Sequence, residues 1–431
     1  MAERVAESFI EELRWRGLIY DMTEGAEEAM ARGPVTAYIG FDPTADSLHI
    51  GHLLPIMVLV HLQRHGHTPI ALAGGGTGMI GDPSGKSKER QLLSEEELQR
   101  NLVPIKEQLA RFLKFEGVPN PALLLNNADW LNEIKLIDFM RGVGKLFTVN
   151  YMMAKESMKQ RLESEEGISY TEFTYMLLQA YDFWEQYRRY NCTFQLGGSD
   201  QWGNITAGIT LIRRMEGGEA HAITMPLITT ASGVKFGKTE AGTVWLDAKR
   251  TSPFRFYQYW LNTPDEDVLK YLRFFTLLGR DEIAELERAT EAEPHLRRAQ
   301  RRLAEEVTRT VHGEDALQRA IAATEVLFGD RDLEGLSAAE LLDIFAEVPS
   351  SAVSRQALEG DGVLLVDLAA DAGLERSKGQ ARKLIQSGGL NVNNRRVDDP
   401  QAALTLADAI DGEVIVLRKG KKKYHLVRVE G

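Results

Sequence analysis

The sequence predicts an α/β protein with a parallel sheet first, an α-helical domain next and a small α+β domain last. Three observations carry this. Short apolar runs bounded by turn residues alternate with helical periodicity over the first half of the chain. Strand signals fade from about Pro253 to Phe328, where helical spacing dominates. Past residue 360, two helical stretches lead into Gly388-Gly389 and short β-type runs.

Residues 35–41, VTAYIGF, read as the first strand, followed by an Asp-Pro turn and a helical pattern from His49 to about Gln63. Residues 69–73, PIALA, are a second buried strand ending in a run of glycines. Residues 94–115 have helical spacing and open at Ser94 with Glu97 three residues on, a capping box. A third strand is expected at 122–126 and an aromatic-rich helix over 170–190. A fourth strand, CTFQL at 192–196, ends at Gly197-Gly198 before a helix from about Ser199. Such alternation builds a parallel sheet of Rossmann type. The expected division is a Rossmann-type domain over 1–225 and a lysine-bearing loop with an α-helical domain over 226–328. A linker carrying Pro349 and Ser-Ser follows over 329–360, then a last domain over 361–431. That domain has helices near 363–372 and 378–387 and strands near 414–417 and 424–429.

A chain of 431 residues exceeds one ordinary core, so two or three domains are expected. No run approaches the ~18 apolar residues that a membrane-spanning helix needs. Met1 to Arg16 mixes Glu and Arg with apolar positions and lacks the uninterrupted apolar stretch of a secretory signal. The single cysteine, Cys192, excludes an internal disulfide framework and a Cys-rich zinc site. These features read as a reducing, cytoplasmic setting with no membrane. The net charge of −12 is unevenly spread. From Ala370 to Gly431 there are 12 Lys plus Arg against 8 Asp plus Glu, a net of +4, so the rest carries −16. A small basic tail on an acidic body fits an RNA or phosphate contact, and it fits a solvated tail equally well.

Five segments hold candidate site residues. The first, DPTADSLHIGH at 42–52, sits where a strand hands over to a helix. Ligands of open α/β sheets bind at the carboxyl ends of the strands. A helix N-terminus there offers free N–H groups and a partial positive charge to phosphate. His49 and His52, three apart, project from one face of the first turn and suit hydrogen bonding to charge that develops in a transition state. Gly51 leaves room for a flat base against the backbone. A structural histidine pair has the same spacing, whereas zinc helices place ligands at i and i+4 with a Glu between.

The second, GGGTGMIGDPSGK at 74–86, nearly satisfies two phosphate-loop patterns and fails both. Gly76, Gly78 and Gly81 match GxGxxG, yet a turn from Asp82 to Gly85 stands where a helix must open. A Walker loop needs glycine five residues before Gly85, where Ile80 stands. What remains is a glycine-rich loop that lets a ligand lie against the backbone. Asp82 is available to an ammonium group, and Lys86, Lys88 and Arg90 to phosphates, with a solvated basic turn as the plain alternative. The third, YMLLQAYD at 175–182, sets Tyr175, Gln179 and Asp182 on one helix face, polar where a core would take Leu or Val. The fourth, QLGGSDQWGN at 195–204, is another strand-end glycine turn, with Asp200 able to accept from ribose hydroxyls. The fifth, KFGKT at 235–239, puts two lysines on a glycine-hinged loop suited to polyphosphate, although alone it reads as an exposed basic turn.

Together these segments resemble class I aminoacyl-tRNA synthetases. HIGH at 49–52 matches the first signature of that class in full. Residues 235–239 are similar to its second, KMSKS, keeping both lysines and departing at Phe236, Gly237 and Thr239. The match to bacterial tyrosyl-tRNA synthetases is closer, through 41–52, GDPSGK, NYMMAKES at 150–157, QAYDF, QLGGSDQWGNITAG and KFGKTE, and it runs over the whole chain. The resemblance implies activation of L-tyrosine with ATP to tyrosyl-adenylate plus pyrophosphate, then transfer to the terminal ribose hydroxyl of tRNA(Tyr). It implies ATP with Mg2+ as substrate, no tightly bound protein metal site and a homodimer.

By the same resemblance, Tyr38 and Asp182 hydrogen-bond the phenol, Tyr175, Gln179 and Asp82 hold the ammonium group, and Gln201 sits near the carboxylate. Gly40 and Asp42 line the cleft, Thr44 and His49 bind the terminal phosphate, Gly51 and His52 face the nucleoside, and Gly198 and Asp200 take the ribose. Lys86, Arg90, Lys235, Lys238 and Thr239 come from loops onto pyrophosphate. Ile39 and Pro55 stand where some relatives carry a polar side chain. The C-terminal domain, with SKGQAR at 377–382 and Val392-Asn393, resembles an S4-type RNA-binding domain. It departs at Asn391 and Asn394 from the more usual aromatic and glycine.

The chemistry agrees with the residue types. Carboxylate attack on the α-phosphate of ATP needs alignment and cations, with no protein nucleophile. A tryptophan enzyme of the same fold is opposed by Tyr38 and Asp182, because indole offers one donor and no hydroxyl acceptor. A nucleotidyltransferase with an HxGH helix end is opposed by the lysine loop and the C-terminal unit. An RNA-binding protein built on an inactive synthetase is opposed by intact His49, His52, Lys235 and Lys238.

Overall fold

The computed structural model describes residues 8–84, 94–156, 158–159, 167–229, 236–239, 242–328, 333, 335–345, 348–420 and 423–431. The chain divides into two compact units, Met1–Thr251 with Trp260–Val311, and Ser252–Tyr259 with His312–Gly431.

The first unit is built on a six-stranded sheet: β1 (Asp21–Met22), β2 (Thr36–Phe41), β3 (Thr68–Ala73), β4 (Leu123–Asn126), β5 (Cys192–Gly198) and β6 (His221–Met225). Their order is β1-β6-β5-β2-β3-β4, with every pair parallel except β1 against β6. The four strands expected from sequence are therefore joined by a further parallel strand and an antiparallel edge. Two residues cannot display a period, and β1 exists only through its pairing of Asp21 with Thr224 and Met22 with Ile223. In β6, HAITM, every residue is buried, so no alternation marks it.

Strand β2 is flanked by β3 on one side and β5 on the other. The winding direction reverses there, and a crevice opens beyond the carboxyl ends of β2 and β5. Behind it, Tyr38, Ile70 and Leu72 pack with Met176, Ala180, Phe183, Ala207 and Leu211 from two helices. The first of these helices, Tyr170–Tyr190, starts where Ser169 accepts from the Glu172 N–H and stops at Asn191, which is left-handed at φ 50. The second, Trp202–Glu216, approaches so closely that a Cβ on Gly208 would lie 2.7 Å from the Phe183 ring. Arg16, 2% exposed, ties the N-terminal helix Phe9–Arg16 to the end of the Asp265–Phe275 helix. Its guanidinium donates to the carbonyls of Arg273, Thr276 and Leu278 and pairs with Glu12.

In the second unit, a five-stranded sheet is formed by Ser350–Ser354, Leu390–Val392, Arg395–Val397, Val414–Lys419 and Lys423–Glu430. Alternation along the central strands buries both faces. Ile415, Leu417 and Val427 pack with the helices Leu365–Asp371 and Lys378–Gln386. Val414, Val416 and Leu426 pack with Leu341 and Phe345. The expected linker over 329–360 is thereby corrected. Its helix Ala338–Ile344 covers one face of the sheet, and its strand Ser350–Ser354 pairs in parallel with Lys423–Glu430.

Candidate active site

The crevice at the ends of β2 and β5 is a cavity of about 690 Å3. At one end stand Tyr38 and Asp182, 1% and 2% exposed. The Tyr38 hydroxyl is buried and has no hydrogen-bond partner among the described residues. Asp182 Oδ1 accepts from Trp130 Nε1 at 2.8 Å, and Oδ2 from Asn127 Nδ2 at 3.4 Å. Burial pushes the Asp182 carboxyl up to about 8, against those two donors, which favour its ionised form. Leaving a buried hydroxyl unpaired costs ~1–3 kcal/mol. A ligand with a polar group at this end recovers that cost.

A web of amides and one carboxylate forms another wall. Gln201 Nε2 donates to Asp82 Oδ2 at 2.6 Å, and Gln179 Nε2 donates to Gln201 Oε1 at 3.2 Å. Asn204 Nδ2 donates to Ser84 Oγ and to Gln179 Oε1, each at 3.1 Å. Tyr175, buried, lines the cavity with Gln179 and Asp182, so the polar helix stripe does face the pocket.

The histidine turn differs in detail from the expected first helical turn. His49 is extended and caps a 3-10 turn, Ile50–His52, ahead of the helix Leu53–Arg64. The His49 N–H donates to His52 Nδ1 and the Gly51 N–H to His49 Nδ1, each at 3.1 Å. Both rings therefore accept at Nδ1 and carry their proton on Nε2, an assignment made from the hydrogen-bond pattern. Their centroids lie 4.0 Å apart. Lost hydration, then the neighbouring His49, lower the His52 pKa to about 3, so the ring is neutral near pH 7.

Gly40, Asp42, Thr44, Gly51, Asp82, Gly198, Asp200 and Gln201 also line the cavity, as do Ile39 and Pro55. Two glycines are explained by protein packing. A Cβ on Gly74 would lie 2.5 Å from Asp42 Oδ1, and one on Gly198 would lie 2.5 Å from Asp200 Oδ1. A Cβ on Gly74, Gly75 or Gly76 would meet the side chain of Asp42, Asn126 or Leu131 respectively, and Gly74 itself lines the cavity. Lys86, Arg90 and Lys235 lie outside the described residues. Lys238 and Thr239 form a short ladder with Gly242–Thr243, and the segment that follows pairs with the histidine turn, Ile50 N–H donating to Val244 O.

Sequence reasoning missed Asn127 and Trp130 and gave no role to Ser84, Asn204 and Gln195 within the segments it singled out; Gln195 is 3% exposed and lines the cavity. A signal existed for some of them. LLLNNADW at 123–130 places consecutive amides at a strand end, and Asn204 lies one turn beyond Gln201.

A switch-point crevice, a HIGH turn in its lining and a lysine-bearing hairpin bonded to that turn are the architecture of class I tRNA synthetases. The family described as tRNA synthetases class I (W and Y) matches residues 30–329, and the tyrosine--tRNA ligase SYY-like C-terminal domain matches residues 340–427. A tyrosine--tRNA ligase from Roseiflexus castenholzii is 58% identical over 422 residues, 98% of this chain and 99% of its own. One from Bacteroides thetaiotaomicron is 53% identical over 427 residues, 97% and 99% of the two chains. The crystal structure of a C-terminally truncated mitochondrial tyrosyl-tRNA synthetase from Coccidioides posadasii is 33% identical, with a TM-score of 0.65, over 73% of this chain and 91% of its own. The chain belongs to the tyrosine--tRNA ligases of class I. Its activity is ATP-dependent ligation of tyrosine to tRNA.

Proposed function

We propose a residue-level account of that reaction in which the 690 Å3 cavity holds tyrosine and ATP together. The observation that carries it is the pairing of a buried, unpartnered Tyr38 hydroxyl with the buried Asp182 carboxylate at one end of the cavity. The phenol hydroxyl of tyrosine donates to Asp182 and accepts from Tyr38. Asp82, Gln179 and Tyr175 receive its ammonium group, and Gln201 turns its carboxylate toward the α-phosphate of ATP. Thr44 and His49 take the terminal phosphates, Gly51 and His52 the nucleoside, Gly40 and Asp42 the cleft wall, and Gly198 and Asp200 the ribose.

The carboxylate oxygen bonds to the α-phosphorus as the bond to pyrophosphate breaks. Neutral His Nε2–H donors stabilise the added charge. Lys86, Arg90, Lys235, Lys238 and Thr239 meet the departing pyrophosphate, and Mg2+ enters with ATP as part of the substrate. The terminal ribose hydroxyl of tRNA(Tyr) then attacks the tyrosyl carbonyl and releases AMP. Phenylalanine leaves the Tyr38 hydroxyl without a partner and gives Asp182 no donor beyond Trp130 and Asn127. A loss of ~10^4 or more follows, a magnitude established on enzymes of this type and not obtained from this structure.

The C-terminal unit meets tRNA phosphates through Lys378, Arg382 and their neighbours, as an S4-type domain does. The working form is a homodimer, and the protein acts in the cytoplasm. Apolar side chains support the dimer: Leu136, Ile137, Met140, Val149, Met153 and Tyr170 are all exposed, Leu136 at 70%. The Tyr170 hydroxyl lies 3.8 Å from the Met140 sulfur, which joins two of the elements that carry them. Such a patch calls for a partner surface.

The test is amino-acid-dependent exchange of pyrophosphate into ATP without tRNA. Exchange with tyrosine and not with phenylalanine, lost in Asp182→Ala, is the expected result. Equal exchange with both amino acids would remove the role given to Tyr38 and Asp182.

A further inference from the structure

Lys238 and Thr239 are useful to pyrophosphate only if their backbone is held in place, and the structure fastens it on both sides. On the C-terminal side, Ile50 N–H donates to Val244 O at 3.0 Å and Leu246 N–H to Leu48 O at 2.8 Å. Asp247 N–H donates to Ser47 Oγ at 3.2 Å, and Trp245 forms a β-bridge with His49. On the N-terminal side stands Phe236, 6% exposed. Its ring stacks on Phe275, centroids 5.3 Å apart and planes 7° apart. Tyr271 meets it edge-on at 5.1 Å and Trp260 lies tilted at 5.9 Å. Tyr271 and Phe275 belong to the Asp265–Phe275 helix, so the ring is pinned to a rigid element.

Gly237 follows with φ +85, a left-handed conformation that glycine adopts without steric cost. A Cβ there would lie 3.0 Å from Ile50 Cγ1, and Ile50 is fully buried inside the histidine turn. The Gly237 carbonyl also accepts from the Val244 N–H at 3.1 Å. The lysine hairpin thus rests directly on the turn that carries His49 and His52.

We propose that Phe236 and Gly237 are positioning residues that seat the lysine-bearing hairpin on the histidine turn, Phe236 by filling an aromatic box and Gly237 by allowing backbone contact with Ile50. The proposal rests on the ligase reading above. It also gives a physical reason for the departures from KMSKS at these two positions: the box takes a flat ring, and the backbone contact takes a residue without a Cβ. Both residues act through Lys238, Thr239 and the histidine turn. Their loss weakens contacts made as pyrophosphate departs and leaves the tyrosine end of the cavity untouched.

The experiment uses the full chain and measures tyrosine-dependent pyrophosphate exchange alongside tyrosine binding by equilibrium dialysis. Phe236→Ala and Gly237→Ala are each expected to lower kcat at least tenfold, with the tyrosine Kd within twofold of wild type. Phe236→Met, which refills much of the box, is expected to recover kcat to within about threefold. If Phe236→Ala does not fold, Phe275→Leu, which removes the stacked face from the other side, and Gly237→Ala carry the test. Wild-type kcat in folded variants overturns the proposal, and so does a kcat loss matched by an equal loss of tyrosine affinity. Failure of the wild-type protein to exchange with tyrosine overturns the ligase reading and this inference together, whereas normal wild-type exchange isolates the inference.

Discussion

Asp182 lies between two opposed influences, burial that favours the neutral acid and the Trp130 and Asn127 donors that favour the anion. Its folded pKa, about 8, lies above the ordinary 3.8. The folded protein therefore keeps a proton that the unfolded chain has released, and the stability tied to this group is complete below pH ~3.8 and lost as pH rises through about 8. Scanning calorimetry of the ligand-free protein should show Tm falling between pH 5 and 9 more steeply than in Asp182→Asn, and superimposable pH profiles would contradict this. Tyrosine binding should run the other way, improving as the carboxylate ionises. Trp130→Phe deletes one donor, so this rise should move to higher pH, with tyrosine affinity at pH 7 about tenfold weaker, consistent with ~1.5–3 kcal/mol for a hydrogen bond to a charged group. His52 behaves oppositely to an ordinary histidine switch. Its pKa near 3 predicts a neutral ring throughout pH 5 to 8, checked by 15N shifts of the ring nitrogens, and a ring titrating near 6.5 would remove its assignment as a permanent Nε2–H donor. The polar stripe of Tyr175, Gln179 and Asp182 was legible in the sequence from its helical spacing. Trp130 was not, because its role depends on an indole reaching from the end of β4 to another helix.

At the scale of elements, the hairpin between Leu390–Val392 and Arg395–Val397 shows how a local departure is absorbed. Pairing of Val392 with Arg395 leaves a two-residue loop, Asn393-Asn394, at φ 49 and 64. Two left-handed residues in succession make a type I′ turn, which matches strand twist and takes Asn or Gly. Asn394, which stands where glycine is more usual, is thus compatible with the turn. Asn394→Ala should destabilise the protein by ~1 kcal/mol, the cost of a left-handed non-glycine residue, while Asn394→Gly should change little. Urea titrations measure both, and equal effects would count against the turn assignment. Helices with caps and strong periodicity were readable in advance, as the capping box at Ser94 illustrates. Strands β1 and β6 were not, since one is two residues long and the other is buried throughout.

For the molecule as a whole, the expected dimer makes its own prediction. Charges placed in the exposed apolar patch, Ile137→Asp with Met140→Lys, should convert a dimer to monomers in sedimentation velocity without changing the melting of the fold. An unaltered sedimentation coefficient would move the interface elsewhere. The expected linker over 329–360 illustrates the limit of local reading at this scale. Its Pro, Ser and short apolar runs look like a connector, yet Leu341 and Phe345 pack beneath strands some 70 residues later in the chain.

The sequence by itself determined the alternation of strands and helices, the polar stripe, the two signature segments and hence the kind of chemistry. Each depends on residue type and spacing within one segment, which the chain carries wherever it folds. Tertiary structure alone decided what spans segments: the reversal at β2, the antiparallel edge, the Asn204 and Trp130 bonds, and the seating of Gly237 on Ile50. These rest on pairings between residues far apart in the chain, whose partners no local pattern specifies. The unpaired Tyr38 hydroxyl belongs to the same group, since its lack of a partner among the described residues is set by neighbours drawn from several elements.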